Sequence, residues 1–503
     1  MAEKMDYLAP VLPVETERIT GEDALQTNIK AAQSVAECVK STLGPSGMDK
    51  LLIDDSGEII VTNDGATILK ELDIEHPAAK MMVEVAATQD EEVGDGTTTA
   101  VIIAGELLKG AEKLLGLKIH SSVIVKGYQL AAEKAHNTLR NNSLNVSADD
   151  ENALKKIATT ALLSKGADEA HLAHMAVRAV KFVSDRKNRE IKTDLDSINV
   201  VKIEGGGTAD TQLLEGVVID KGKAHPSMPD SVKNAKILLV NSALGVKGTK
   251  VDAQVRITNP KQLRAFLSEE EKALEETVKR IKDSGANALF VQKGIDDLAE
   301  HHLAKAGIFC LKQVKKSNME KLSKATGAKI VTSLDDLTAD DLGLAGFIEV
   351  IKIGGDEVTV VKECRDPKSV SVLVRGGSEH ILDETERSLQ DALKVVASAV
   401  KDQSIVAGGG ALEAEAAKVL REYARSIKGK EQLAVDAFAE SLEAIPCALA
   451  ENAGLDPIDV MVEIRSKHEG KGGARFGLDV NDGKVKDMAK EGVIEPLKVK
   501  VQA

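Results

Sequence analysis

The chain has 503 residues, a formal net charge of −14, no tryptophan, and 2% aromatic against 43% hydrophobic residues. That length exceeds what one core usually serves and predicts about three domains, with aliphatic interiors, while the negative balance argues against a nucleic-acid partner. Cys38, Cys310, Cys364 and Cys447 are scattered with no CxxC pair, a pattern that signals neither a disulfide framework nor a zinc site and fits a reducing interior.

Residues 1–14 carry acids and prolines without a long apolar run, and no later stretch approaches the ~20 apolar residues of a membrane span. A cytoplasmic protein with no membrane partner is expected. Apolar positions at three- and four-residue spacing predict helices over 28–43, 76–93, 97–115 and 121–140. Leu43-Gly44-Pro45-Ser46-Gly47 follows the first of these, either as ordinary helix-ending punctuation or as backbone laid against a phosphate. Asn63-Asp64-Gly65 reads as a hairpin-type turn. The most informative junction is Gly94-Asp95-Gly96-Thr97-Thr98-Thr99, which runs straight into the 97–115 helix. Two glycines permit close backbone approach, three hydroxyls gather at a helix start, and one carboxylate stands ready for a cation. Together they suit a magnesium-bound phosphate, although Asp-Gly turns and threonine caps also occur without a ligand.

Residues 151–183 again read as helical, with Lys165 behind a helix: a surface lysine, unless a polyphosphate lies near enough for it to stabilise charge. A glycine-rich joint covers 204–208. Short β-branched and aliphatic runs at 235–241, 286–292, 308–313, 328–332 and 370–375 alternate with helices, as in a small α/β domain. Inside this region Asn259 and Pro260 cap a helix striped by Leu263, Leu267, Leu274, Val278 and Ile281. The stretch before it, 245–257, is either a plain surface excursion or an arm that meets a partner. His301 and His302 are adjacent on a helix and point about 100° apart, so they do not form a metal pair. In the helical segment 380–401, Asp391 stands four residues after Arg387, by default a solvated ion pair. Gly408-Gly409-Gly410 opens the helix predicted over 413–427 and offers a second set of backbone amides to an anion; a further helix covers 431–453. No GxxxxGK[ST] loop occurs, so a bound nucleotide would be held without a P-loop.

In order along the chain, Thr42-Leu43-Gly44-Pro45, Gly47 to Lys50, Val61 to Ile68, His76 to Lys80, Gly94 to Thr99, Gln292 to Asp296, Gly408 to Gly410, Glu431 to Ala434 and Ala450 to Pro457 form a series of blocks. The series resembles the group II chaperonins, the archaeal thermosome and eukaryotic cytosolic chaperonin family, over nearly the whole length, and is most like an archaeal thermosome subunit. The resemblance implies a multidomain α and α/β fold: a helical equatorial ATP-binding domain from 1–149 and 402–503, a small intermediate domain from 150–216 and 368–401, and an α/β apical client-binding domain over 217–367 with a helical protrusion at about 248–272.

The same resemblance implies an ATPase coupled to protein folding, in which unfolded polypeptides are enclosed in a double ring of like or mixed subunits. The protrusion would form a built-in lid, with no separate co-chaperonin. Asp64 and Asp391 would orient or deprotonate the attacking water, with Lys165 stabilising charge; Asp95 would hold Mg²⁺, with K⁺ a further candidate ion. Leu43, Gly44, Pro45, Gly96, Thr97, Thr98, Thr99, Gly409 and Gly410 would cradle the phosphates of ATP or ADP. Glu495 matches the ribose-binding carboxylate, and Asp479 lies where the base is held. Leu163-Ser164-Lys165 departs from the family's hydroxyl-Gly-Lys order, glycines stand at 245 and 248 where relatives are more charged, and His302 replaces a common aromatic. Most members extend beyond the stretch ending here at Ala503 with a strand that joins neighbours, so weaker ring assembly is expected of this chain. Two other readings use similar residues: an ATP-binding scaffold or filament that folds nothing, and a small-molecule phosphotransferase, which the absence of an evident acceptor site beside the aspartates disfavours.

Overall fold

Scarcity of aromatic rings decides how the helices pack. With little else to fill space, they approach one another through alanine and glycine. Helix Glu22–Lys40 lies so close to helix Thr97–Gly116 that a Cβ on Gly105 would stand 2.4 Å from the Cβ of Ala36. Likewise, a Cβ on Gly127 of helix Ser121–Asn141 would stand 2.5 Å from that of Ala434 on helix Glu431–Asn452. The computed structural model describes residues 20–53, 57, 59–163, 169–187, 190–245, 260–334, 337–364 and 369–503, and the chain divides into two units, Met1–Val146 with Ser404–Ala503, and Ser147–Gln403.

In the first unit, helix Glu431–Asn452 is the axis. Val435, Ala439, Leu442, Ile445 and Ala448 are buried along it against Ile102 and Ile103, Ala131 and Ala135, and Ala417 and Leu420 from three surrounding helices. One buried carboxylate fastens this bundle. Glu443 receives Arg465 through Nε at 3.0 Å and Nη2 at 2.6 Å, and Arg421 through Nη1 at 2.5 Å and Nη2. Burial pushes the Glu443 carboxyl up, but the two guanidiniums outweigh it and hold the group below the usual carboxylate range. Three short sheets complete the unit. Ser404–Ala407 runs antiparallel to both Leu144–Asn145 and Ile494–Pro496; Phe476–Asp479 pairs with Lys484–Asp487. The hairpin Lys50–Ile53 with Ile59–Thr62 leaves Leu51, Ile53, Ile59 and Val61 exposed.

Besides the two-stranded antiparallel pair Ser184–Lys187 with Glu190–Thr193, the second unit holds two sheets. Val370–Gly376 is flanked by parallel Ile198–Glu204 and antiparallel Gln212–Glu215, with helices Glu151–Leu162, Glu169–Val183 and Glu379–Asp402 nearby in the same unit. The larger sheet has seven strands in the order Phe309–Leu311, Ala288–Val291, Ser231–Val240, Gly343–Ile353, Asp356–Cys364, Val217–Ile219, with Ile330–Val331 also on Ser231–Val240. Its centre obeys the period of two: Ala235, Ile237 and Leu239 face one core, Leu238 and Val240 the other. Helix Lys316–Thr326 covers the first face through Met319 and Leu322, and helix Pro260–Asp283 covers the second through Leu274, Val278 and Ile281.

The expected texture of helical ends around an α/β centre is present. Three details differ. The region 151–183 is two helices; helix 28–43 starts earlier and stops at Lys40, leaving Leu43 in the following loop. The hairpin of Gly343–Ile353 and Asp356–Cys364 was not anticipated, although Gly354-Gly355 between alternating apolar residues is a turn signal. Among the described residues no helix is long and apolar enough to cross a membrane, and all four cysteines are unpaired.

Gly105 tests the close helix packing. Alanine there gains helix propensity of about 1 kcal/mol, but the steric overlap with Ala36 should outweigh it and leave Gly105→Ala destabilised by roughly 1–2 kcal/mol. Adding Ala36→Gly should recover part of the loss, a favourable coupling readable in urea unfolding. Additive effects of the two changes would show that the helices are not in steric contact.

Candidate functional site

Most short polar side chains at helix starts in the first unit act as caps. Asp64 caps Gly65–Glu71 and Asp456 caps Pro457–His468, each accepting a first-turn N–H at 2.8 Å. Two longer helices begin differently, at αL glycines; Glu22–Lys40 also starts uncapped from a glycine, Gly21 at φ 75°, but with ψ −143° outside that conformation. Thr97–Gly116 starts from Gly96 at φ 76°, and Ala411–Ala424 from Gly410 at φ 73°, both left-handed and both without a side-chain cap. The Ala411 amide turns back to the Gly408 carbonyl at 3.3 Å; the remaining first-turn amides have no capping side chain at either start and are open to an outside acceptor, and the helix dipole favours a negative one.

Around the first of these starts, Asp64 and Asp95 are fixed by the backbone they serve. Asp64 accepts from the Thr67 amide and hydroxyl, both at 2.8 Å, and its other oxygen accepts from the Thr97 hydroxyl at 3.3 Å. Asn63-Asp64-Gly65 is thus a helix cap and not the hairpin turn expected. Gly65 permits the approach, since a Cβ there would lie 2.6 Å from Thr98 Oγ1. Asp95 Oδ1 accepts the Gly96 amide at 2.6 Å. Thr97, Thr98 and Thr99 are buried. Beneath them Gln89, 2% exposed, donates to the carbonyls of Asp95 at 2.8 Å and Val499 at 3.2 Å.

The second start is held by strand pairing. The Gly408 amide donates to the Val493 carbonyl at 3.0 Å, and the Gly409 carbonyl accepts from Leu478 at 2.9 Å, which brings the neighbouring Asp479 to this loop. Asp479 accepts from Lys486 at 2.9 Å and from the Asn481 amide at 3.1 Å. Glu495 lies opposite Val406 in the sheet, and a Cβ on Gly408 would stand 2.8 Å from its Oε1. Lys500 Nζ lies 2.9 Å from Glu495 Oε2 and 2.8 Å from Glu413 Oε1. Burial raises the Glu495 carboxyl above its ordinary value; the Lys500 ammonium opposes this, and the charges of Glu413 and Asp95 add to it. Lys500 itself is raised, because the two carboxylates outweigh the effect of its burial.

Asp64, Asp95, Gly96 to Thr99, Gly409, Gly410, Asp479 and Glu495 thus belong to one unit, with the two loops tied through residues 493–500. Leu43, Gly44 and Pro45 are in the same unit, fastened to the end of the axial helix: Asn452 donates to the carbonyls of Leu43 at 2.8 Å and Lys40 at 3.1 Å. Asp391 lies in the second unit and is only 8% exposed, so it is not the solvated carboxylate expected; Arg387, one turn before it, pairs with Glu384 at 3.0 Å. Lys165 lies outside the described residues. Sequence reasoning passed over Gln89, Glu413 and Lys500. No local spacing marks Lys500 and Glu495 as a pair, since one stands on a short helix and the other on the strand before it, and the link to Glu413 is tertiary.

Among the described residues no group of three or more His, Cys, Asp or Glu side chains could hold a metal ion. A single aspartate beside a helix start open to an anion would fit Mg²⁺, which binds through one or two carboxylates and the phosphates of its substrate.

The TCP-1/cpn60 chaperonin family matches residues 35–503. The chain is 56% identical to a thermosome subunit of Methanopyrus kandleri over 98% of this chain and 91% of that protein. It is 55% identical to thermosome subunit beta of Thermococcus kodakarensis over 100% of this chain and 92% of the relative. Among solved structures it is similar to the open-state monomer of a group II chaperonin from Methanococcoides burtonii, at 44% identity and a TM-score of 0.61, covering 82% of this chain and 96% of that one.

The cap at Asp64 is testable apart from any activity. Asp64→Ala removes the acceptor for Thr67 and should cost about 1 kcal/mol of stability, whereas Asp64→Asn keeps an acceptor oxygen and should retain most of it. Thermal unfolding of the two variants decides; equal midpoints would remove the capping role.

Proposed function

This chain belongs to the TCP-1/cpn60 chaperonin family, and from that premise we infer that it is a subunit of an ATP-dependent molecular chaperone working as a double-ring chamber for unfolded polypeptides. The relatives' name, thermosome subunit, and the group II chaperonin neighbour support this reading. The observation that carries the nucleotide assignment is the pair of uncapped helices that start from αL glycines in one unit and are joined through residues 493–500. In the domain division we propose, 1–149 and 402–503 are equatorial, 150–216 and 368–401 intermediate, and 217–367 apical.

On this reading the loop Gly96 to Thr99 cradles the polyphosphate of ATP, which accepts from the amides of Thr97 to Thr99, the hydroxyls of Thr98 and Thr99 and the backbone at Gly409 and Gly410, with Leu43, Gly44 and Pro45 completing the cradle. Asp95 would hold Mg²⁺, which neutralises charge on the transferred phosphoryl group when bound. Asp64, its rotamer fixed by Thr67 and Thr97, orients the attacking water and accepts its proton. Asp391 is assigned the second water-orienting role and Lys165 the stabilisation of developing charge. Glu495 accepts from the ribose, and Asp479 borders the base. Binding energy that differs between open and closed chambers is what lets turnover drive a client cycle.

Hydrolysis separates this site from a scaffold that only binds nucleotide. Asp391→Ala should bind ATP with near wild-type affinity and lose most turnover, and Asp95→Ala should also weaken Mg²⁺-dependent binding. Phosphate release and nucleotide titration report both. Wild-type turnover in Asp391→Ala would remove that assignment.

We assign the arm at about 248–272 as a built-in lid. Residues 248–259 lie outside the described residues; the remainder begins helix Pro260–Asp283. Deleting the arm should largely preserve ATP turnover and abolish protease protection of an enclosed client during hydrolysis. Protection that persists without an added co-chaperonin would overturn the lid.

A further inference from the structure

Helix Leu497–Gln502 places one ammonium between two carboxylates. Lys500, Glu413 and Glu495 have side chains only 9%, 5% and 15% exposed. Taking such charges out of water costs several kcal/mol per ion, and here a single ammonium answers two carboxylates. Neither Glu413 oxygen has a hydrogen-bond partner beyond its ionic contact with Lys500. Glu495 is braced on both sides: Oε2 meets Lys500, while Oε1 lies against Gly408, where only the missing Cβ makes room. The same short helix is held to the other loop, because Gln89 joins the Val499 carbonyl to that of Asp95.

We propose that Lys500 is a positioning residue for ribonucleotide selection: its ammonium, shared with Glu413, keeps Glu495 ionised and aimed so that the carboxylate accepts from the ribose hydroxyls. The inference rests on the reading of Glu495 as the ribose acceptor. An ionised carboxylate can accept from two neighbouring hydroxyls, whereas a protonated one must donate at one oxygen. Without the ammonium, Glu413 and Glu495 would face each other as buried like charges, and one would take up a proton. Charge-assisted hydrogen bonds of this kind are strong enough to discriminate a missing hydroxyl.

The test is calorimetric binding of Mg·ADP and Mg·2′-deoxy-ADP to the full-length protein. Wild type should prefer ADP by roughly tenfold or more. Lys500→Met should lose ADP affinity and leave 2′-deoxy-ADP nearly unchanged, so that the ratio falls toward one; Lys500→Arg should restore it. Glu413→Gln, which hands the ammonium wholly to Glu495, should keep or increase the preference, and it serves if Lys500→Met does not fold. Glu495→Gln is the control for the underlying reading: if it keeps the preference, Glu495 is not the ribose acceptor. If Glu495→Gln loses the preference while Lys500→Met keeps it, or if Lys500→Met weakens both nucleotides equally, the positioning role is wrong and the ribose reading stands. Loss of the preference in Glu413→Gln would overturn the proposal equally.

Discussion

A helix that starts inside a protein must hand its first amides to some acceptor, and among the described residues two α-helices start at αL glycines that have no side chain to offer one. Much of the first unit is arranged around that debt. Asp64 caps its own short helix and reaches the Thr97 hydroxyl, Gln89 fixes the carbonyl of Asp95 from below, and the sheet of residues 404–407 and 494–496 holds Gly408 in register. An anion at these starts satisfies donors that the fold leaves over, so ligand affinity and helix stability become one quantity.

The framework that holds the loops is built from small residues. Close helix contact at Gly105 and Gly127 gives rigid axes without large rings, and the Arg421–Glu443–Arg465 cluster pins three helices through a single carboxylate. Such a cluster adds geometric definition more dependably than net stability, because its charges must first be desolvated. Its value here lies in keeping helix Ala411–Ala424, and so the Gly410 start, at a fixed angle to the axial helix.

Legibility in the sequence followed the range of each interaction. Helices with a 3.6-residue stripe were readable, as was the junction at Gly94 to Thr99, because both are local. Asn63-Asp64-Gly65 was misread since a turn and a cap share the same residues; what decides between them is the bonding of Asp64 to Thr67 and Thr97, one of which comes from another helix. Asp391 looked solvated because Arg387 lies one turn away, yet the helix buries that face against its unit. Glu495 and Asp391 entered the site only through the family resemblance. Lys500 and Glu413 were invisible, as their pairing joins residues far apart in sequence and leaves no periodic trace.

The strand pair Asn145 with Ser404 marks where the chain leaves the first unit and returns to it. During synthesis, everything between them emerges before the return strand exists, so the second unit can gather its local contacts while the first is still half made. The bond from Gln89 to Val499 spans 410 residues, a separation that makes the joined loops among the latest contacts to form. A nascent chain therefore carries a helix start with no partner loop, and on the proposed reading a nucleotide would reward folding only after residues 493–500 have left the ribosome. Acquisition of that ligand would then report that translation has passed them.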